Sequence, residues 1–124
     1  MLLKKWLFYW QGSNDRMIIE EDSMIVVVAA MKAQAGKEQE MEKALRDMIP
    51  KVETEEGTLA YALHRVKKEP QKFLMYEKYR DKEALKHHSS TPYFTELFGK
   101  IGHLLDGTPT IEIYEMLASI KEKE

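Results

Sequence analysis

The sequence predicts an α+β domain with the ferredoxin-like split β-α-β arrangement, a four-stranded antiparallel sheet carrying helices on one face. Three observations lead there. Strand-like and helix-like periodicities alternate in the order β-α-β-β-α-β. Two alternating runs, 58–66 and 72–79, flank a polar segment from Lys67 to Gln71 that contains Pro70, the mark of a β-hairpin with a long loop. The second helical region has two start signals, at Asp81 and at Thr91-Pro92, so its helix is split in two.

Each element has its own reason. Residues 24–33 (MIVVVAAMKA) form the first strand, apolar on both faces and β-branched in the middle. After Gly36, residues 37–55 read as a helix, with Met41, Ala44, Leu45, Met48, Ile49 and Val52 at helical spacing. Pro50 falls inside it and predicts a kink, because proline has no amide donor. Gly57 stands where a helix C′ glycine is expected. After the hairpin, Asp81 caps a helix over 82–89, with Glu83 in its first turn. Thr91 caps the next helix and Pro92 takes its first position. Tyr93, Phe94, Leu97, Phe98, Ile101, Leu104 and Leu105 give that helix a broad apolar stripe. A turn at Asp106-Gly107-Thr108-Pro109 leads to the last strand, 110–117.

The chain of 124 residues is long enough for one domain with a full core. It divides into an N-terminal extension (1–23), the domain itself (24–117) and a charged tail (118–124). The extension holds both tryptophans, Trp6 and Trp10. Its apolar part is short and no small-residue cleavage signal follows. It reads as a segment packed on its own domain or on a partner subunit, not as a signal peptide or membrane anchor.

Composition removes several classes of function. Nineteen Lys and Arg against 21 Asp and Glu leave a net charge of −2, with no basic footprint for nucleic acid. No cysteine is present, which excludes disulfides, thiol catalysis and iron–sulfur clusters. No apolar run reaches the length of a membrane span, and the expected location is cytoplasmic. No glycine-rich loop offers a nucleotide or flavin site. His87 and His88 are adjacent on a helix and diverge by roughly 100°, so they do not form a metal pair.

One feature of the sheet conflicts with an isolated domain. Helices on one face leave the other in water, where polar residues belong. Here Ile25, Val27 and Ala29 alternate with Val26, Val28 and Ala30, and the hairpin strands behave alike. A second copy of the same sheet is the simplest cover, which predicts a homodimer.

The chemistry-bearing residues cluster late in the chain. His88 shares a helix face with Ala84 and Leu85 and points inward, while His87 shares one with Glu83 and points out. Glu77 falls on the Phe73–Met75 face, where a carboxylate needs a partner. It is either ion-paired, with Arg65, Lys78 or Arg80, or it serves as a base or as the group that orients a histidine. His64 is read as lining the same interior. Tyr61, Tyr76, Tyr79, Tyr93 and Phe94 fill the core or stack an aromatic substrate.

The runs GTLAYALHR, FLMYEKYRD and EALKHHSSTPYF resemble the antibiotic biosynthesis monooxygenase (ABM) family of dimeric α+β barrels. The matching positions are Gly57, Tyr61, His64-Arg65, Glu77, Tyr79, Asp81, Ala84, His88 and Pro92-Tyr93-Phe94. Two branches are near: small quinol-type monooxygenases that use dioxygen without a bound cofactor, and the isomerase that processes phosphorylated autoinducer-2. The chain departs from the common pattern at Tyr93, where a second histidine is frequent. Haem-degrading members carry Asn in the first strand and Trp after the third; here Ala29-Ala30 and Tyr79 stand near those places.

The resemblance implies a homodimer with an apolar pocket between the sheet and the second helical region. Its first implied function is cofactor-independent monooxygenation of a quinol or similar electron-rich aromatic, with His88 and Glu77 catalytic. Tyr61, His64, Tyr76, Tyr79, Tyr93 and Phe94 then line the substrate, and dioxygen is the second small molecule. The alternatives are an isomerase of a small phosphorylated hydroxyketone, anchored by Arg65 or Arg80, and a non-catalytic small-ligand binding module.

Overall fold

The structure, a computed structural model, describes residues 24–121 and 123. The extension at 1–23, with the packing expected of its tryptophans, lies outside the described residues, as do positions 122 and 124 of the tail. Four strands, β1 (Ile25–Lys32), β2 (Thr58–Arg65), β3 (Lys72–Tyr79) and β4 (Thr110–Glu115), form one antiparallel sheet in the order β2-β3-β1-β4. The helices are α1 (Glu38–Val52), α2 (Lys82–Ser89) and α3 (Pro92–Ile101), the last followed by a 3₁₀ turn at Gly102–Leu104. This is the ferredoxin-like α+β order expected from the sequence.

Alternation decides which side chains meet the helices. Ile25, Val27 and Ala29 of β1 and Phe73, Met75, Glu77 and Tyr79 of β3 are buried. They pack against Met41, Leu45, Met48 and Val52 of α1, Ala84 and Leu85 of α2, and Phe94, Leu97 and Ile101 of α3. The apolar side chains of the other sheet face, including Val26, Val28, Ala30, Ala60, Ala62, Leu74 and Tyr76, are half-buried. Among the described residues no helix packs on that face.

Both starts in the second helical region form as the residues dictate. The Asp81 carboxylate accepts from the Ala84 amide at 2.9 Å, and the Thr91 hydroxyl accepts from the Phe94 amide at 3.3 Å. Helix α1 is shorter than its periodicity suggests. It runs through Pro50 and stops at Val52, and residues 53–57 form a turn in which the Glu55 amide donates to the Val52 carbonyl.

Gly57 is not the helix C′ glycine that the sequence suggests. The described glycines with positive φ are Gly36 and Gly107, each in a turn. Gly57 instead marks the closest approach of the β2 entry to α2. A Cβ there would lie 2.5 Å from the Ala84 Cβ, and the Gly57 carbonyl accepts from the Arg80 amide at 2.9 Å. This contact brings the turn after α1 against α2, and with it Glu55 against His88.

Candidate functional site

A small internal cavity of about 40 Å³ lies between the helical face of the sheet and α1, α2 and α3. That is room for a few waters or for dioxygen, but not for an aromatic ring without side-chain movement. Its walls are mostly apolar, from Val27, Ala29 and Met75 on the sheet to Phe94, Phe98 and Ile101 on α3. Three polar side chains also line it: His88 from α2, Glu77 from β3 and Tyr61 from β2. Tyr61 lines a second space as well, a surface groove of about 250 Å³ beside Ile49, Val52, Glu53 and Thr58. It stands between the groove and the cavity.

His88 is 1% exposed. Its ring contacts Tyr61, Tyr79 and Phe94 at centroid distances of 5.6, 5.5 and 5.3 Å. Nδ1 lies 3.1 Å from each oxygen of the buried Glu55 carboxylate. Glu55 also accepts from the Thr58 hydroxyl at 2.7 Å and from the Tyr93 hydroxyl. Burial pushes the Glu55 carboxyl up, but the hydrogen bonds from His88, Thr58 and Tyr93 outweigh it and hold the group below the usual carboxylate range. An ionised Glu55 favours a proton on His88 Nδ1, and in that tautomer Nε2 is an acceptor. Among the described residues Nε2 has no hydrogen-bond partner.

Glu77 is differently placed. It is 7% exposed, and Oε1 accepts from the Tyr79 hydroxyl at 2.6 Å. Burial pushes its carboxyl up, and the nearby His88 and the Tyr79 hydrogen bond offset only part of that. Among the described residues Glu77 forms no ion pair with Arg65, Lys78 or Arg80. Arg65 binds Glu42 and lies 5.1 Å over the Phe73 ring, while Arg80 sits 3.5 Å from Asp81. Burial, and next to it the neighbouring Glu77 carboxyl, also hold the Tyr61 and Tyr79 hydroxyls above the ordinary phenol range.

The remaining candidates separate. Phe94 and Tyr61 line the cavity; Tyr79 is fully buried behind it, its ring on His88 and its hydroxyl on Glu77. Tyr93 lies on the outer side of Glu55 and lines a separate groove with Asp47, Lys51 and Lys100. His64 and Tyr76 do not share the interior. In register His64 faces Leu74 and Tyr76 faces Ala62 and Val28, which places both on the sheet face without helices. His64 is exposed there, its Nδ1 3.1 Å from the Ala62 carbonyl. His87 and His103 are on the surface. Among the described residues no group of three His, Asp or Glu side chains is placed to hold a metal ion, and no helix is long and apolar enough to cross a membrane.

Glu55 is the residue that the sequence reading missed. It sits in a polar turn among Glu53, Thr54 and Glu56, 33 residues from His88. The nearest local signal is the glycine two positions later, and that signal acquires its meaning only once Gly57 is seen against Ala84.

Residues 24–100 match the family model for antibiotic biosynthesis monooxygenase, ABM, and the chain belongs to that family. The uncharacterised protein sll1783 of Synechocystis sp. is 32% identical over 95 residues, 77% of this chain, and the match spans 65% of that protein's length. YcnE of Bacillus subtilis (strain 168), named as a candidate monooxygenase, is 32% identical over 82 residues, covering 66% of this chain and 86% of its own. Among solved structures, a candidate antibiotic biosynthesis monooxygenase from Caulobacter crescentus CB15 superposes with a TM-score of 0.76 at 34% identity, covering 86% of this chain and 99% of that one.

Proposed function

We propose that the chain is a cofactor-independent monooxygenase for a quinol or similar electron-rich aromatic, with His88 as its base and Glu55 as the residue that positions His88. The observation that carries this reading is the free Nε2 of a histidine whose Nδ1 is held by a buried carboxylate, set on the wall of a mostly apolar cavity with room for dioxygen. Deprotonating a phenol makes it a stronger electron donor, and the substrate itself then reduces dioxygen. The overall change is quinol plus dioxygen to hydroxyquinone plus water, which balances without an external reductant. The mostly apolar walls limit the water around the reduced oxygen species. The ring enters from the groove at Ile49, Thr58 and Leu59 by displacing Tyr61. The same reading includes a homodimer, in which a second copy covers the half-buried apolar face of the sheet.

An isomerase acting on a phosphorylated hydroxyketone needs a cation at its site. Arg65 and Arg80 are engaged elsewhere, and neither lines the cavity. An oxygen electrode with a panel of quinols, catalase present, tests the choice. Enzyme-dependent uptake that is lost in His88→Ala is expected. No uptake, with proton exchange on a hydroxyketone phosphate, transfers the assignment to the isomerase. Silence in both assays leaves a binding module.

A further inference from the structure

The cavity holds a polar group that base chemistry at His88 does not use. Glu77 is more than nine-tenths buried, and only Oε1 has a partner, the Tyr79 hydroxyl. Among the described residues Oε2 accepts no hydrogen bond and no Lys or Arg pairs with the carboxyl; the His88 ring is its one nearby basic group, and that ring is already held by Glu55. Tyr61 lies directly opposite Glu77 across β2 and β3, and its hydroxyl likewise has no hydrogen-bond partner among the described residues. Both side chains line the cavity. A buried polar atom that the protein leaves unpaired needs a partner in the cavity, and an oxygen of a bound substrate can be that partner.

We infer that Glu77 is the substrate anchor of the cavity, a neutral carboxylic acid that donates a hydrogen bond from Oε2 to a second oxygen of an aromatic substrate whose first hydroxyl faces His88. The inference rests on reading the cavity as the substrate site. An ionised carboxylate without a Lys or Arg partner, beside the Glu55 carboxylate, is disfavoured in these surroundings, whereas the neutral acid carries its own donor. The pKa is pushed up at both Glu77 and Tyr61, burial being the main cause at each, which agrees with this. The site then offers an acceptor at His88 Nε2, a donor at Glu77 and an adaptable hydroxyl at Tyr61. That set fits a ring bearing two oxygen substituents, and it favours such a ring over a simple phenol. It also assigns Glu77 a task different from general base or histidine orienter.

Calorimetry under argon with two probes tests the assignment. Resorcinol has two ring oxygens and resists oxidation to a quinone; phenol has one. The wild-type protein should prefer resorcinol by about tenfold, the size of one hydrogen bond. Glu77→Gln keeps a neutral donor and should keep the preference, and Glu77→Leu should abolish it. Infrared difference spectra of the unliganded protein at pH 7 should show a protonated carboxyl band that disappears in Glu77→Gln. Absence of that band, loss of preference in Glu77→Gln, an unchanged preference in Glu77→Leu, or no binding of either probe would overturn the inference. Oxygen uptake is read separately. The preference without uptake removes the oxygenase reading and keeps the anchor; uptake without the preference does the reverse.

Discussion

In the proposed reaction His88 needs its tautomer fixed, and the side chain placed to do so is Glu55. Glu55→Gln should lower turnover by about 10²-fold, because an amide no longer holds the proton on Nδ1 or steadies the imidazolium that forms. His88→Ala should cost at least as much, while exposed His87→Ala should stay near wild type; steady-state oxygen uptake separates the three. The two buried carboxyls also set opposite pH dependences. The folded pKa of Glu55 is depressed, so its contribution is fully present above the ordinary glutamate value of about 4.3 and is lost as pH falls through the folded value. That of Glu77 is raised, so the fold loses stability as pH rises from the ordinary value through the folded one. The neighbours that modulate Glu77 are Tyr61 on β2, Tyr79 on β3, His88 on α2 and Glu55. Urea midpoints across pH 3 to 8 (a range on the order of the carboxyl titrations) should therefore show Glu55→Gln losing most against wild type at the upper end. Glu77→Gln should gain most there.

At the scale of elements, α2 is locked to the β2 entry by the absence of a side chain. Gly57→Ala places a methyl 2.5 Å from the Ala84 Cβ, so either α2 or the turn after α1 must move. A loss of about 1–3 kcal/mol in denaturant unfolding is expected, as for other overpacked sites. Activity should fall with it, because the same turn carries Glu55 to His88. Ala84→Gly removes the opposing methyl at about 1 kcal/mol of helix propensity. The double variant should then be more stable than the sum of the single losses. Additive losses would mean that the contact is not what joins the two elements. The helix starts are simpler: Asp81→Ala should cost about 1 kcal/mol through its lost cap to Ala84.

For the whole molecule, the sheet is the unit that asks for a partner. Val26, Val28, Ala30, Ala62, Leu74 and Tyr76 lie together on the face opposite the helices, with neighbouring strands in continuous register. A sheet face of this composition favours burial over hydration. The chain should sediment as a dimer at micromolar concentration, and Val28→Glu, at the centre of that face, should shift it toward monomer. A wild-type monomer with native secondary structure would remove the facing-sheet assembly.

By itself the sequence determined the order of elements, β3 over 72–79, α2 over 82–89, and both helix caps, since these depend on residues close together in the chain. It also determined that His88 points inward, because Ala84 and Leu85 share its helix face. Tertiary structure alone decided which acid meets that histidine. Glu53, Glu55 and Glu56 are alike in a polar turn, and only the approach of Gly57 to Ala84 selects Glu55 for burial. It also decided that His64 and Tyr76 face away from the site. Both sheet faces are apolar, so alternation alone gives no inside, and the sides are assigned only when β2 pairs with β3 in a register that sets Tyr61 opposite Glu77.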